Sequence, residues 1–448
     1  MSTISRNHNM NKEVLNKNKK LIQWVKENDG FIHEDIYINT QIYQNNVHRC
    51  IYYKNQQKIK KNDRLTSIPK KLVINDELFK NIPIINAFVK NLNDHAYNAK
   101  ILDGKALKTI FVLICEKIKG ASSFFHPYIN ILPKFNVFDD YPLNVYLKSV
   151  STFDRVDSIN PLFMEKLREM HKELLLIVDI LEKYDNQYLI SDKTKNFNDL
   201  IKWAYFIYKT RTWKNGLVPF NDMFNHNNHS NIALSLHSNQ KKGESFYTFN
   251  ADKQFESKKD EFEIFINYMH FNTIDLFLHY NFVHKADVNF LYIPFKFKTT
   301  TEFNKQKTNE IKKHNLSHNK ILISNDGPSK DLFKILRILS LTQKEYSQQI
   351  GIQKDNKYND VISYQNESKS IRLLFKIILD IKKTTYTFEK LNTIYCQLES
   401  FKDVKLSSSD SIIKNVCVIT LQEYKILEDA LIWIENRWAK ILKNTANI

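Results

Sequence analysis

The sequence is poor in glycine and cysteine. Seven glycines occur among 448 residues, well below the roughly 7% of ordinary usage. The four cysteines, at positions 50, 115, 396 and 417, lie far apart and form no C-x-x-C pair. This spacing argues against a structural zinc site and against a disulfide framework, and it favours a reducing compartment, cytoplasmic or nuclear.

Long apolar runs are missing as well. None reaches the roughly 18 residues of a membrane span, and the N-terminus has no apolar signal core. We therefore expect no association with a membrane. The first twenty residues contain little Arg or Ser and one Glu, so they are only weakly typical of an organelle transit peptide.

The net charge is strongly positive, but the basic residues are spread along the sequence. Lys and Arg exceed Asp and Glu by 66 − 49 = 17, which permits attraction to anionic partners. However, no Arg-rich block or alternation of basic and aromatic residues is present, as single-strand binders would use. A nucleic acid is therefore not expected as a direct specific ligand, and we expect a monomer. A hydrophobic content of 42% is typical of a folded protein of two or three domains.

The hydrophobic period changes along the chain. Residues 1–20 suggest a polar tail, and a short amphipathic helix follows from Leu21 to Gly30. The period then predicts strands up to residue 75, helices over 76–204, strands again over 205–295 and a helical region over 296–448. The resulting interpretation is an α+β protein whose β region is split by a helical insert and followed by an all-helical C-terminal domain.

The stretch "VPFNDMFNHNNH", residues 218–229, has three interpretations: a metal site, a polar loop and a cofactor site. His226 and His229 have i, i+3 spacing, with Asp222 and His237 nearby, and such a set could ligate zinc. No H-E-x-x-H supplies a general base, and the chain is rich in Asn throughout. The metal site therefore ranks below the polar loop, and we expect no metal.

Aromatic and basic residues on both sides of this stretch could serve the third interpretation. Arg211 can bind a carboxylate and Trp213 can form the wall of a pocket for a cationic side chain. Downstream, Tyr268 and Tyr280 each close a short apolar run. Taken singly, each of these residues is more often an ordinary surface or core residue.

Their order, however, resembles a known family. Arg211-x-Trp213, "VPFNDMFNH", "FINY" and "HYNFV" resemble the signature of the SET domain in the Rubisco large-subunit methyltransferase class. The resemblance covers nearly the whole chain. It includes "LIQWVKENDGF" at the N-terminus, "RLTSIPKKLVIN", "SSFFHPYINILP" in the insert and "DGPSKDLFKILRILSL" at the start of the C-terminal domain.

The resemblance implies a function and residue roles. It implies a protein-lysine N-methyltransferase that uses S-adenosylmethionine, with a pseudoknot in the SET domain. Cofactor contacts fall on Arg211, Asp222, Asn225, His226 and Tyr280, and Tyr280 is also the implied catalytic tyrosine. The implied lining of the substrate channel is Trp213, Tyr268 and Tyr292. The partner is then a protein that presents a lysine, histone or non-histone.

Three departures from the family pattern keep a second interpretation open. The early G-x-G turn falls near "VHRCIYY", where His48 and Arg49 stand instead of glycines. Met269 and Asn281 replace the glycines after the two tyrosines, and Asn tolerates positive φ better than Met. "NADKQFESKKDEFE" is a charged insertion. The alternative is thus a weakened or inactive SET-like scaffold that binds proteins.

Overall fold

The structure is a computed structural model. It describes residues 2–43, 46–54, 59–81, 104–188, 196–213, 216–227, 230, 232–239, 244–252, 254, 261–268, 271–283, 290–292, 300–314, 316, 322–349 and 358–445.

Helices and strands follow one another in blocks along the chain. The helices are α1 Ser2–Glu27, α2 Gly104–Lys119, α3 His126–Ile129, α4 Pro142–Lys148, α5 Asp154–Ile159, α6 Pro161–Tyr188, α7 Phe197–Arg211, α8 Thr273–Tyr280, α9 Glu302–Lys313, α10 Lys330–Ser340, α11 Gln343–Gln349, α12 Tyr364–Thr385, α13 Phe388–Ser400 and α14 Ser408–Thr445. The strands are β1 Phe31–Ile32, β2 Ile36–Tyr43, β3 Asn46–Tyr53, β4 Arg64–Pro69, β5 Thr212–Trp213, β6 Gly216–Leu217, β7 Asn225–His226, β8 Ile232–Asn239, β9 Glu244–Ala251, β10 Phe262–Glu263, β11 Phe265–Ile266, β12 Phe290–Tyr292, β13 Leu322–Ser324 and β14 Gly327–Pro328.

Helix α1 begins at Ser2, so the expectation of a polar tail over residues 1–20 is wrong for the residues described. Val14, Asn18, Leu21 and Val25 are buried, and their spacing of four, three and four residues places them on one helical face. A polar Asn interrupts this apolar stripe and hides it in the sequence. The turn after the helix closes where the Gly30 amide donates to the Val25 carbonyl at 2.9 Å.

The two β regions pair with each other across the helical insert. One sheet has the order β1-β4-β9-β8 and another has β10-β3-β2, so strands from before and after the insert share both sheets. Strands β7 and β11 pair in parallel, with Asn225 opposite Phe265 and His226 opposite Ile266. The split β region predicted from the period is therefore confirmed. The threading of a pseudoknot stays an implication of the resemblance.

Two details differ from the sequence-based expectation. Helix α8 lies inside the range that was expected to be strand-like. The Asn272 side chain caps it by accepting from the Asp275 amide, and buried Ile274, Phe277 and Leu278 have helical spacing. The C-terminal region is not all-helical, because β12, β13 and β14 form a small sheet.

The described chain divides into two compact units. The first comprises residues 1–144 and 165–270, and the second comprises residues 145–164 and 271–448. The first unit contains the sheets β1-β4-β9-β8 and β10-β3-β2. In its core α2 packs on α7. In the second unit α10 and α14 both pack on α12. The domain ranges inferred from the sequence follow different boundaries and stay predictions.

No helix within the described residues is both long enough and apolar enough to span a membrane.

Candidate functional site

The segment "VPFND" contains a strained turn. Phe220 has φ 69° and ψ −48°, and the Asn221 amide donates to the Pro219 carbonyl at 2.8 Å. This is a γ-turn with positive φ at its centre, a rare conformation. Thr66 of β4 secures it by donating from its hydroxyl to the Asn221 Oδ1 at 2.7 Å. The turn directs the next residue, Asp222, into the protein interior.

Asp222 is the centre of a buried polar cluster. The Tyr128 hydroxyl donates to its Oδ2 at 2.7 Å. Arg211 Nη1 donates to the same oxygen at 3.2 Å and to the Asp222 carbonyl at 3.1 Å. Tyr128 comes from "SSFFHPYINILP" and Arg211 ends α7, so three separate sequence motifs meet at one carboxylate.

Burial governs the charges of this cluster. It raises the pKa of the Asp222 carboxyl, while Arg211 and Tyr128 oppose the shift. Burial also lowers the pKa of Arg211, but the charge and hydrogen bond of Asp222 together with the nearby Tyr128 and Tyr268 outweigh it, so the pKa is raised. The pKa of Tyr128 is raised well above its ordinary value by burial and by Asp222. Tyr128 is therefore a neutral donor at neutral pH.

Arg49 of β3 lies beside this cluster. Its Nε donates to Asn18 Oδ1 on α1 at 3.0 Å, and its Nη1 donates to the Ile131 carbonyl at 2.8 Å. Desolvation lowers the pKa of Arg49 to about 10, and the positive charge of Arg211 contributes. Arg49 therefore occupies a half-buried position, and its correspondence to the family's G-x-G turn stays a prediction. Its neighbour His48 is exposed.

Asn225 and His226 occupy β7, next to β11. Asn225 is exposed and its Nδ2 donates to Glu263 Oε1 at 2.7 Å. The Tyr268 amide donates to His226 Nδ1 at 3.0 Å, which places the proton of neutral His226 on Nε2. The Tyr268 hydroxyl donates to the Phe224 carbonyl at 2.8 Å. Asn225 and His226 of this strand pair and Tyr268, two residues after β11, therefore lie together, and all three were singled out from the sequence.

The remaining predicted residues lie on separate elements. Trp213 in β5 packs edge-on against Phe249, with ring centroids 5.4 Å apart. Tyr280 ends α8 and Tyr292 lies in β12, and both belong to the second unit. Asn281, after Tyr280, has φ 58° and ψ 32°, which confirms that asparagine supplies the left-handed conformation at one missing glycine. Met269 lies outside the described residues.

The metal interpretation gains no support from the described part of the chain. There, no group of three or more His, Cys, Asp and Glu residues is placed to hold a metal ion. His229 lies outside the described residues, and His226 already accepts a hydrogen bond.

The polar atoms of the cluster fit a ligand with a charged amino-acid group. Arg211 Nε, Asn221 Nδ2 and Asp222 Oδ1 are buried without a hydrogen-bond partner among the described residues. Unsatisfied buried groups cost about 1–3 kcal/mol each. Two donors and one acceptor match the carboxylate and the ammonium of an amino acid.

Comparison with known proteins identifies the fold of this chain. No protein-family model matches the chain. SET domain-containing protein 4 of Artemia parthenogenetica is 28% identical over 298 residues, which are 61% of this chain and 68% of that protein. The SET domain of LSMT bound to lysine and AdoHcy matches with a TM-score of 0.53 and 14% identity, over 95% of this chain and 92% of that one. Rubisco LSMT bound to sinefungin and monomethyllysine gives a TM-score of 0.55 and 15% identity, over 95% and 93%.

This chain has the SET-domain fold of the Rubisco LSMT type. The resemblance drawn from the motifs is confirmed for the fold, as is the α+β class with a helical insert and a largely helical C-terminal region. The roles of the individual site residues are not tested by these likenesses and stay predictions.

Three residues of the candidate site were not singled out from the sequence. Tyr128 stands inside "SSFFHPYINILP", which was recognised as a motif, so a signal for it existed. Glu263 and Asn18 had none. Each makes its contact to a residue at least 31 positions away, and no local pattern reports such a pairing.

Proposed function

We propose that this protein is an S-adenosylmethionine-dependent protein-lysine N-methyltransferase. The observation that carries the proposal is the meeting of Arg211, Asp222 and Tyr128 in the first unit of an LSMT-type SET fold. Asn225 and His226 of β7 lie in the same unit, three residues further along the chain. These residues come from the motifs that the family uses for its cofactor, and their unsatisfied atoms match an amino-acid group.

Each residue of this cluster would hold one part of the cofactor. Arg211 and Asp222 would bind its amino-acid end, the Asn225 side chain would contact the cofactor, and the main chain at His226 would bind the adenine. S-adenosylmethionine, when bound, supplies a sulfonium methyl group. The hydrogen bond to His226 Nδ1 fixes the imidazole ring beside Tyr268, with centroids 5.1 Å apart. A fixed ring would keep the strand in a binding conformation without reorganisation.

Lysine is the proposed acceptor because the remaining predicted residues are aromatic. A lysine must lose its proton to attack a methyl group, and an apolar aromatic channel lowers a lysine pKa by desolvating the charged form. We assign Trp213 and Tyr268 of the first unit to this channel. Tyr280 and Tyr292 belong to the second unit. Their implied roles, holding the amine and lining the channel, stay predictions of the resemblance. The proposed substrate is a protein that presents a lysine, histone or non-histone.

Calorimetry with S-adenosylmethionine and the purified full-length chain tests the proposal. We expect heat of binding and a rise in the unfolding temperature, both lost in Asn225→Ala. Tyr280→Phe should bind the cofactor but transfer methyl groups roughly ten- to a hundredfold more slowly, if its hydroxyl contributes about 1.4–3 kcal/mol to the transition state. Tyr364→Phe, at an exposed position on α12, is the control and should leave both quantities unchanged.

Mass spectrometry of protein targets labelled by the enzyme tests the acceptor. We expect methyllysine. Methylhistidine alone would reject lysine as the acceptor while keeping the methyltransferase. A chain that gives neither heat nor a thermal shift would reject the enzyme altogether.

A scaffold without methyl transfer is the second candidate, and Arg49 favours it. A guanidinium stands near the place where the family brings bare backbone to the cofactor. If the side chain fills that place, the fold would bind protein partners without catalysis. Cofactor binding separates the two candidates, since only the enzyme requires it.

A further inference from the structure

The Arg49 side chain on β3 is held in place by hydrogen bonds. Its guanidinium is held from two sides, by the Asn18 side chain at 3.0 Å and by the Ile131 carbonyl at 2.8 Å. Both partners are neutral, so they orient the guanidinium without compensating its charge. Asn18 itself is 4% exposed and donates to the Thr40 hydroxyl at 2.9 Å. The side chain is therefore positioned rather than loosely packed.

The cluster around Arg49 carries an excess positive charge. Strand β3 packs against the turn that holds Asp222, and Arg211 lies close enough for its charge to shift the pKa of Arg49. Two guanidinium groups thus face one carboxylate, because Tyr128 is neutral. An uncompensated charge in a half-buried site is unfavourable. An anion at the cluster would balance it.

Arg211 has only part of its guanidinium available for that anion. Its Nη1 is committed to the Asp222 carboxylate and carbonyl, and among the described residues its buried Nε lacks a partner. Nε and Nη2 share one edge of the guanidinium, and such an edge can bind a carboxylate through two parallel hydrogen bonds. Asp222 already compensates the charge of Arg211, so the charge of Arg49 is the one that an anion at this edge would balance.

We propose that Arg49 is a cofactor-binding residue that holds the α-carboxylate of the cofactor together with Arg211, and that Asn18 positions it. This inference rests on the proposed function. In this chain a hydrogen bond from the Arg49 side chain to the cofactor would then take the place of the family's close backbone approach. The carboxylate, and not only the adenosine part, would decide which ligand is bound.

Two ligands that differ by one group test the proposal on the full-length protein. S-adenosylhomocysteine carries the carboxylate, and S-adenosyl-3-thiopropylamine lacks only that group. By calorimetry, we expect the first to bind the unaltered protein at least a hundredfold more tightly. Arg49→Gln should reduce this preference at least tenfold, through weaker binding of S-adenosylhomocysteine, with the second ligand changed less than twofold. His48→Gln, at the exposed neighbouring position, should keep the full preference.

Asn18→Leu and Arg49→Lys separate positioning from charge. Asn18→Leu removes the anchor but keeps the guanidinium, so we expect an intermediate preference. Arg49→Lys keeps the charge but not the planar guanidinium. Its preference for S-adenosylhomocysteine should also lie between those of the unaltered protein and Arg49→Gln. The comparison of the two ligands on the unaltered protein needs no variant, so equal binding of the two would reject the proposal even if Arg49→Gln does not fold.

The possible failures differ. If the unaltered protein binds neither ligand, the proposed function and the role of Arg49 both fall. If it binds both equally well, or if Arg49→Gln weakens both equally or neither, only the role of Arg49 falls. If Arg49→Gly, which removes the side chain altogether, binds S-adenosylhomocysteine more tightly, then Arg49 obstructs the site and the proposal is rejected.

Discussion

Phe220 combines a strained backbone with complete burial. Its φ of 69° is one that side chains with a Cβ rarely adopt, yet its ring is 0% exposed. The strain persists because the buried ring and the Thr66–Asn221 hydrogen bond hold the turn on both sides. Such conformations cluster at functional sites, and this one immediately precedes Asp222.

Two substitutions at Phe220 separate the strain from the packing. Phe220→Ala and Phe220→Gly both lose the ring, at about 3–5 kcal/mol. Glycine is normally less stable than alanine by about 0.5–1 kcal/mol. At positive φ the alanine Cβ costs roughly 1–2 kcal/mol, so we expect Phe220→Gly to be the more stable of the two. Urea unfolding measures the difference.

Phe224 provides the matched control for this comparison. It is equally buried, but its φ is −70° and its ψ is 125°. There we expect alanine to be more stable than glycine, the opposite sign. The same order of stability at both positions would contradict the assignment of strain to Phe220.

Among the elements of the second unit, three helices are joined by one buried ion network. Glu367 of α12 accepts from Arg337 of α10 through both carboxylate oxygens, at 2.8 and 3.0 Å. Arg437 of α14 donates to it at 2.7 Å. Arg337 also donates to the carbonyls of Tyr358 and Asn359. Glu367 is 1% exposed. Separation of these helices would therefore leave a buried charge without its partner.

Glu367→Gln should therefore destabilise the protein by about 3–5 kcal/mol at pH 7, since breaking a buried pair leaves an uncompensated charge. Burial raises the pKa of Glu367, but the arginines outweigh it and the pKa is lowered from its ordinary 4.5. A lowered pKa means stabilisation that is complete above 4.5 and is lost as the pH falls through the folded-state pKa. The difference in unfolding free energy should shrink in that acidic range.

The same substitution at Glu428 is the control for the network. Glu428 of α14 pairs with Lys382 of α12 at a partly exposed position, where an ion pair contributes about 0–1 kcal/mol. Glu428→Gln should cost under about 1 kcal/mol by chemical unfolding. Equal losses at both positions would mean that burial does not set the strength of these pairs.

Elements with a regular apolar period could be predicted from the sequence, and those with a polar interruption could not. Helix α10 follows from its apolar spacing and from Ser329, which caps it by accepting from the Leu332 amide. Helix α1 was predicted only from Leu21 onwards, and its N-terminal part was missed because Asn18 stands in its buried stripe. The cluster itself needs contacts over long separations, such as Tyr128 with Asp222, and periodicity carries no information on these. Asn281 could be predicted because positive φ is a local property.

On the scale of the whole molecule, the second unit is built from two separate stretches of chain. Residues 145–164 belong with residues 271–448. Asn160 Nδ2 donates to the Thr420 hydroxyl at 3.1 Å and to Glu423 Oε2 at 2.9 Å. Phe163 stacks on Phe277, with centroids 5.8 Å apart. The C-terminal stretch alone therefore lacks part of its own core.

A chain of residues 271–448 should consequently unfold at lower urea concentration than the second unit does in the full-length protein. Glu423 is 3% exposed and also accepts from the Tyr386 hydroxyl at 3.1 Å. Without Asn160 this buried carboxylate would lose a donor worth about 1.5–3 kcal/mol. A peptide of residues 145–164 added in solution should bind and restore stability in proportion to its concentration. The same peptide with Asn160→Leu keeps the apolar contacts but not the two hydrogen bonds, so it should restore less. If the fragment is as stable without the peptide as with it, residues 145–164 are not part of this core.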